Sequence, residues 1–276
     1  MYSFLLTWAG LAAGVSAACT RAALQDATAT YLKAQAAGQP SLLAGTLASN
    51  ASYAENDAPV SIAASVLAQA LTIDFSRSIY DTTECASFTE ITSATSPHPY
   101  IIHTRLLFSG AAPLVITAIE SVVTDAGDWA FNATAGLSWT LQETWDAIPA
   151  AQRDTRAVIQ AAADAYLDQW GNPDLPVPLG TPCARLEGGS YYSGAKDQAA
   201  NTCAMGAFPV PLAVGHRRYV VDEELGAVDV FNGFPWLEST RAANFSTPSS
   251  NFVRVVQGKI RYIHEATVCQ TPNCGR

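Results

Sequence analysis

The chain reads as an α+β protein built twice over, each copy laying helices on one face of a curved antiparallel sheet. Three observations predict this. The phrase Arg21–Leu32 (RAALQDATATYL) returns as Arg156–Leu167 (RAVIQAAADAYL). Each half closes on a β-rich run, Leu114–Val123 and Lys259–Val268. Matched residues drift apart steadily: Tyr31 to Tyr166, Tyr53 to Tyr191 and Ile119 to Ile263 are separated by 135, 138 and 144 positions. A duplicated domain with small insertions gives that pattern.

The elements follow in order. Ser3–Ala18 is an uncharged apolar stretch ending in a small-x-small triplet, Val15-Ser16-Ala17, so residues 1–17 are expected to be a signal peptide. It is short for a bilayer span, which takes roughly 20 residues. The first domain is expected over 18–140. Its opening helix carries Leu24, Ala27, Tyr31 and Leu32 at helical spacing and stops at Gly38-Gln39-Pro40. A short strand at Ala51–Ala54 and a second helix over Val60–Leu71 come next. Ser76–Thr92, Tyr100–Ser109 and Leu114–Thr124 read as successive strands with Gly, Pro and Asp at the breaks. The connector Asp125–Arg153 holds Trp129, Trp139 and Trp145 and so reads as ordered.

The second domain is expected over 141–276. Val158, Ala162 and Tyr166 set the face of its helix, and Gly171-Asn172-Pro173 ends it. A short strand is expected at Gly189–Tyr192. Two hairpins follow, Arg217–Glu224 with Ala227–Gly233 and Phe252–Val256 with Lys259–Val268, turning at Leu225-Gly226 and Gln257-Gly258.

Composition narrows the function. Asn50, Asn132 and Asn244 each begin an Asn-x-Ser/Thr sequon and are expected to be glycosylated. The six cysteines behind a leader read as disulfides rather than metal ligands. Of the many connectivities open to them, Cys19–Cys85 would pin the mature N-terminus to the first sheet, and Cys183–Cys203 would close a loop in the second copy. Cys269–Cys274 remains for the tail. The four histidines lack zinc-site spacing, so no metal is expected. A net charge of −9 without Lys/Arg clusters leaves no footprint for nucleic acid, and no second apolar run anchors the mature chain in a membrane. No Gly-x-Ser-x-Gly elbow, Gly-x-Gly-x-x-Gly turn or phosphate loop occurs, and no cofactor is expected. These features place the protein outside the cell or in the secretory lumen.

Helices followed by a bent antiparallel sheet resemble the NTF2-like (SnoaL-like) cone. The phrases that carry the resemblance are Leu47–Asn56 (LASNASYAEN) and Gly258–Ala266 (GKIRYIHEA). Tyr80–Cys85 (YDTTEC), Gly127-Asp128-Trp129, Arg185–Gly189 (RLEGG) and Arg217–Asp222 (RRYVVD) are similar to a family of secreted fungal proteins with two such domains and no assigned function. A further resemblance links them to hetero-Diels–Alder cyclases of fungal tropolone–sesquiterpenoid pathways. The resemblance implies tandem NTF2-like domains and a cofactor-independent cyclase, isomerase or dehydratase acting on an apolar polyketide- or terpenoid-derived molecule. The other class it leaves open is a non-catalytic binding or structural protein; a homodimer is open as well.

In such a cup one Asp, His or Tyr transfers a proton or polarises a carbonyl. Tyr53 and Glu55 lie two apart on a strand and share a face. His103 sits mid-strand in IIHTR, and His264 and Glu265 point to opposite faces. Tyr53, Glu55, His103 and His264 are the catalytic candidates, and Trp129, Tyr191 and Trp236 the aromatic candidates for substrate binding.

Overall fold

A computed structural model describes residues 19–191, 203–205, 211–235 and 246–274. The leader, Trp236 and Asn244 lie outside the described residues.

Helix α1 (Arg21–Ala37) begins where the Thr20 hydroxyl accepts the amide of Ala23 and ends at Gly38, whose left-handed backbone returns two hydrogen bonds to the last turn. Gly38 is obligatory there, since a Cβ would lie 2.4 Å from the Ala70 amide. Strands β1 (Leu47–Glu55) and β2 (Ala58–Pro59) form a short hairpin. Strands β3 (Phe75–Asp81), β4 (Ala86–Ser93), β5 (Tyr100–Phe108) and β6 (Ile116–Thr124) form an antiparallel meander. Its last strand then pairs in parallel with β1, giving the order β2-β1-β6-β5-β4-β3.

The connector carries α2 (Ala133–Thr140), capped by the Asn132 side chain. The second copy repeats the plan: α3 (Arg156–Asp168) capped by Thr155, then β7 (Leu179–Glu187) and β8 (Ser190–Tyr191). Strands β9 (Gly215–Asp222), β10 (Ala227–Phe234), β11 (Thr247–Val256) and β12 (Lys259–Thr267) complete it, in the order β8-β7-β12-β11-β10-β9. These are the two tandem α+β units expected, each a helix cupped in a six-stranded mixed sheet.

Four elements differ from the sequence reading. Ser76–Thr92 is not one strand but the hairpin β3–β4, turned at residues 82–85. Val158 is exposed, and Ile159 takes its place on the buried face of α3. Residues 60–71 form two single 3₁₀ turns, Ile62–Ala64 and Val66–Ala68, rather than a helix; the Ser65 hydroxyl takes the carbonyl of Ile62 and breaks the run. The strand that opens the second sheet is β7, not the short Ser190–Tyr191 segment. Tyr53 faces Ile119 across β1 and β6, and its counterpart facing Ile263 is Arg185, not Tyr191.

Each cup has its own core. Leu24, Tyr31, Leu43, Leu67, Ile91 and Ile119 fill the first, and Ile159, Tyr166, Leu167, Val228, Val253 and Ile263 the second. The other faces of the two sheets pack on each other through Ile79, Phe88, Ile101, Phe231 and Phe252. β4 and β10 are therefore buried on both faces. A pseudo-two-fold relates the halves. Arg21 and the Tyr80 amide donate to Asp222 at 2.9 and 3.0 Å, while Arg156 and the Val221 amide donate to Asp81 at 2.6 and 2.9 Å. Cys19–Cys85 ties the chain ahead of α1 to the turn after β3, and Cys183–Cys203 and Cys269–Cys274 close the other two disulfides. No described helix is long and apolar enough to cross a membrane.

Candidate functional site

Three polar clusters are buried in this frame, one in each cup and one between the sheets. In the first cup Tyr53 donates to Glu55 at 2.8 Å, and the same carboxylate oxygen accepts the Val66 amide at 2.6 Å. Next to them Tyr31, Thr104 and Ser121 form a hydroxyl chain with links of 2.9 Å. Burial pushes the Tyr53 phenol upward, and the neighbouring Tyr31 and Glu55 add to the effect. Both members of the Tyr53–Glu55 pair are thus brought together on the helix-facing side, with every polar partner supplied by the protein.

The second cup holds charge at the same level. Arg185 lies 3.0 Å from Glu187, and the Tyr166 hydroxyl meets the same guanidinium. Trp129, from the connector, donates its indole N–H to Glu187 at 2.9 Å. Glu265 is the direct cross-strand neighbour of Glu187 and accepts from Thr267 at 2.6 Å. Burial and the Glu187 charge raise the Glu265 carboxyl to about 8, against smaller downward pulls from Thr267 and Arg185. Burial beside a second carboxylate thus holds Glu265 toward its protonated form. The rim is set by Gly188, whose positive φ and close approach to the Ala130 carbonyl let the connector dock and carry Trp129 inward.

Between the sheets, His264 donates to Glu90 at 2.6 Å and to Glu143 at 2.7 Å. Burial disfavours its charge, but Glu143 and Glu90 outweigh that and raise it to about 9. Burial also opposes ionisation of Glu90, yet His264, Arg77 and His103 draw it down to about 2. His103 lies 2.8 Å from Ser250, which donates to Asp229 at 2.6 Å; burial lowers this imidazole to about 4. The crevice beside both histidines holds about 10 Å³, room for one water.

The candidates therefore divide. Tyr53 and Glu55 meet in the first cup; His103 and His264 meet Glu90 on the opposite face of the sheet. Trp129 enters the second cup, and Tyr191 stacks on Trp139 at 4.2 Å at its edge. Asn50 and Asn132 are exposed. Arg217 pairs with Asp164 and Asp168, and Arg218 with Asp57. Sequence reasoning passed over Arg185 and Glu187 as a site because β7 was not recognised. Glu265 was legible through its alternation with His264.

A second depression, a groove of about 220 Å³ at the pseudo-two-fold, is bounded by Arg21, Arg153, Arg156, Asp222 and Glu224, with each arginine ion-paired. Among the described residues no group of three or more His, Cys, Asp or Glu side chains is arranged to hold a metal ion.

Fold and site together define a tandem α+β cup protein with a buried acid pair in its second cup. Residues 152–267, which span that second cup from the turn before α3 to the end of β12, match a family described as a domain of unknown function (DUF8021). No curated protein matches the chain. Among solved structures it is similar to an NTF2-like protein of unknown function from Shewanella baltica OS155, at 12% identity over 37% of this chain and 92% of that one. The TM-score is 0.27, a slight likeness.

Proposed function

We propose that this protein is a cofactor-independent isomerase or cyclase of a polyketide- or terpenoid-derived small molecule, working in the second cup. The observation that supports this reading is the Glu265–Glu187 pair, two carboxyls side by side in a buried site, with Glu265 pushed toward its protonated form. Glu265 lends its proton to a substrate carbonyl oxygen while Glu187 takes a proton from the adjacent carbon. Returning the proton to a different carbon shifts the double bond, and Glu265 recovers its own. Such paired acid and base catalysis contributes about 10² to 10⁴ in rate. A hetero-Diels–Alder closure would use the same cup with less machinery: one donor on the dienophile carbonyl and a pocket that aligns the reacting ends, worth about 7–11 kcal/mol. The disulfides and sequons fit work in the secretory lumen or outside the cell.

The first cup favours the other reading for itself. Its hydroxyl chain is closed on protein partners, so it reads as a structural support.

The test is deuterium incorporation into 1-tetralone and related enolisable ketones in D₂O, followed by NMR. We expect exchange above the buffer rate, falling as pH rises through about 8 and dropping about 100-fold or more in Glu265→Gln. Tyr53→Phe and His103→Ala should leave it within about twofold. Equal loss in Tyr53→Phe and Glu265→Gln would move the site to the first cup; no exchange with any ketone would remove catalysis.

A further inference from the structure

The row next to Glu265 says more about what the second cup accepts. Strand pairing sets Thr267, Ser249 and Asn232 side by side on the helix-facing side, one step along from Glu265 and Asn251. In the first cup the equivalent positions are Val123, Ile102 and Ile91. The second cup has thus exchanged an apolar row for a polar one, and among the described residues one atom of that row and one of the adjoining row have no partner. Among the described residues the Asn251 amide nitrogen and the Asn232 side-chain carbonyl find no hydrogen-bond partner, although both residues are no more than 1% exposed. Buried polar side-chain atoms without a partner are rare in native proteins, and each one calls for an explanation.

We propose that Asn251 and Asn232 are the recognition pair for a neutral hydroxy-carbonyl substrate, Asn251 donating to its carbonyl and Asn232 accepting from its hydroxyl. This rests on the placing of the active site in the second cup. The two asparagines are diagonal neighbours on one sheet face, their Cβ atoms roughly 7 Å apart. That span matches two oxygens set across a ring rather than the two oxygens of one carboxylate. Neutrality follows from the surroundings. Arg185 and Glu187 cancel each other, and the acid beside Asn251 is uncharged, so a charged ligand would lie unpaired in a buried site. The skeleton between the polar ends stays apolar, facing Val230 and Val253.

The experiment compares 4-hydroxy-1-tetralone, 1-tetralone and 4-oxotetralin-1-carboxylate by native mass spectrometry and calorimetry. The hydroxy-ketone should bind on the order of 100-fold more tightly than the ketone, because a site built around a substrate hydroxyl strongly rejects the analogue lacking it. The carboxylate should bind most weakly. Asn232→Leu should erase the preference for the hydroxyl, and Asn251→Leu should weaken both neutral ketones together. Asn251→Leu should not lower Tm, whereas Asn232→Leu should lower it slightly, since it also removes the amide that donates to the Val230 carbonyl at 2.9 Å; a fall of several degrees in Asn251→Leu would assign that asparagine to structure and overturn the proposal. Equal binding of hydroxy-ketone and ketone, or tightest binding of the carboxylate, would also overturn it. A crystal structure in which ordered water alone occupies both asparagines in the presence of 4-hydroxy-1-tetralone would do the same. The two readings fail separately: selective binding without deuterium exchange removes catalysis and keeps the ligand class, whereas exchange without hydroxyl selectivity removes the ligand class alone.

Discussion

In the first cup the row crossing β4, β5, β6 and β1 is Thr89, Thr104, Ser121 and Glu55. In the second, crossing β10, β11, β12 and β7, it is Val230, Asn251, Glu265 and Glu187. One step along, Tyr53 in the first cup stands where Arg185 stands in the second. Strand order, helix and caps are shared, so the backbone does not account for the difference. Short hydroxyls can satisfy one another in a closed chain; an arginine with two glutamates holds a buried ion pair and a shifted carboxyl, which are costly to bury without a use. One copy kept the economical interior and the other a reactive one.

The sharpest way to break this comparison is to truncate the two equivalent residues. Arg185→Met takes the cation from a buried site that still holds Glu187 and Glu265, and breaking a buried ion pair in this way costs about 3–5 kcal/mol. Tyr53→Phe removes one hydrogen bond and no charge, costing about 1 kcal/mol. Urea unfolding of both variants reads the difference directly. Equal losses would mean that the second cup's charges are screened and that the contrast has no energetic content.

A second comparison lies between the sheets, where His264 and Glu120 occupy equivalent positions on β12 and β6. His264 is enclosed by two carboxylates, while Glu120 is a quarter exposed and faces Arg105 at 3.4 Å. His264→Ala should cost about 3 kcal/mol or more, and Glu120→Ala about 1 kcal/mol. The pH profile separates them further. His264 is raised on folding, so its contribution is complete below about 6.5 and is lost as pH climbs through about 9. Glu265, also raised, is lost from about 4.5 through about 8. His103 and Glu90 are lowered, so theirs is lost on the acid side, as pH falls through about 4 and about 2. Tm should therefore peak in mildly acidic solution, and His264→Ala should flatten the fall between pH 7 and 9. An unchanged alkaline limb would show that His264 carries no charge in the folded protein.

Much of the fold was legible because both copies punctuate alike. Leu24/Tyr31 and Ala162/Tyr166 face the cups, Gly38 ends the first helix and Gly171 lies just past the second, and Gln257-Gly258 turns the last hairpin. What escaped has physical causes. β7 carries Pro182 and two inward charges, so its alternation has the wrong sign for a core strand. The Tyr53–Tyr191 match followed residue type, whereas register is decided by pairing with β6 and β12. The charges between the sheets were hidden for another reason. An antiparallel sheet is ordinarily read as solvated on one face, and His103, Glu90 and His264 become buried because the two copies cover each other's outer face. Alternation shows which side a residue takes, but not what lies beyond it.

The smallest expected effect tests the pseudo-two-fold itself, at Arg77 on β3 and its counterpart Arg218 on β9. Arg77 reaches Glu90 at 3.3 Å and lies over the Trp145 ring at 4.1 Å, almost wholly covered. Arg218 pairs with Asp57 at 2.6 Å, but both are about a third exposed and screened by solvent. Arg77→Ala strips a buried carboxylate of one of its cations and a tryptophan of its stacking partner, and should cost about 2 kcal/mol. Arg218→Ala should cost less than about 1 kcal/mol, shrinking further at high salt. A short contact distance would rank these pairs the other way round, and burial ranks them this way. If Arg218→Ala proves the more damaging variant and does so independently of salt, the weight of the interface lies at the end of the sheets away from His264, and the asymmetry drawn between the two halves is reversed.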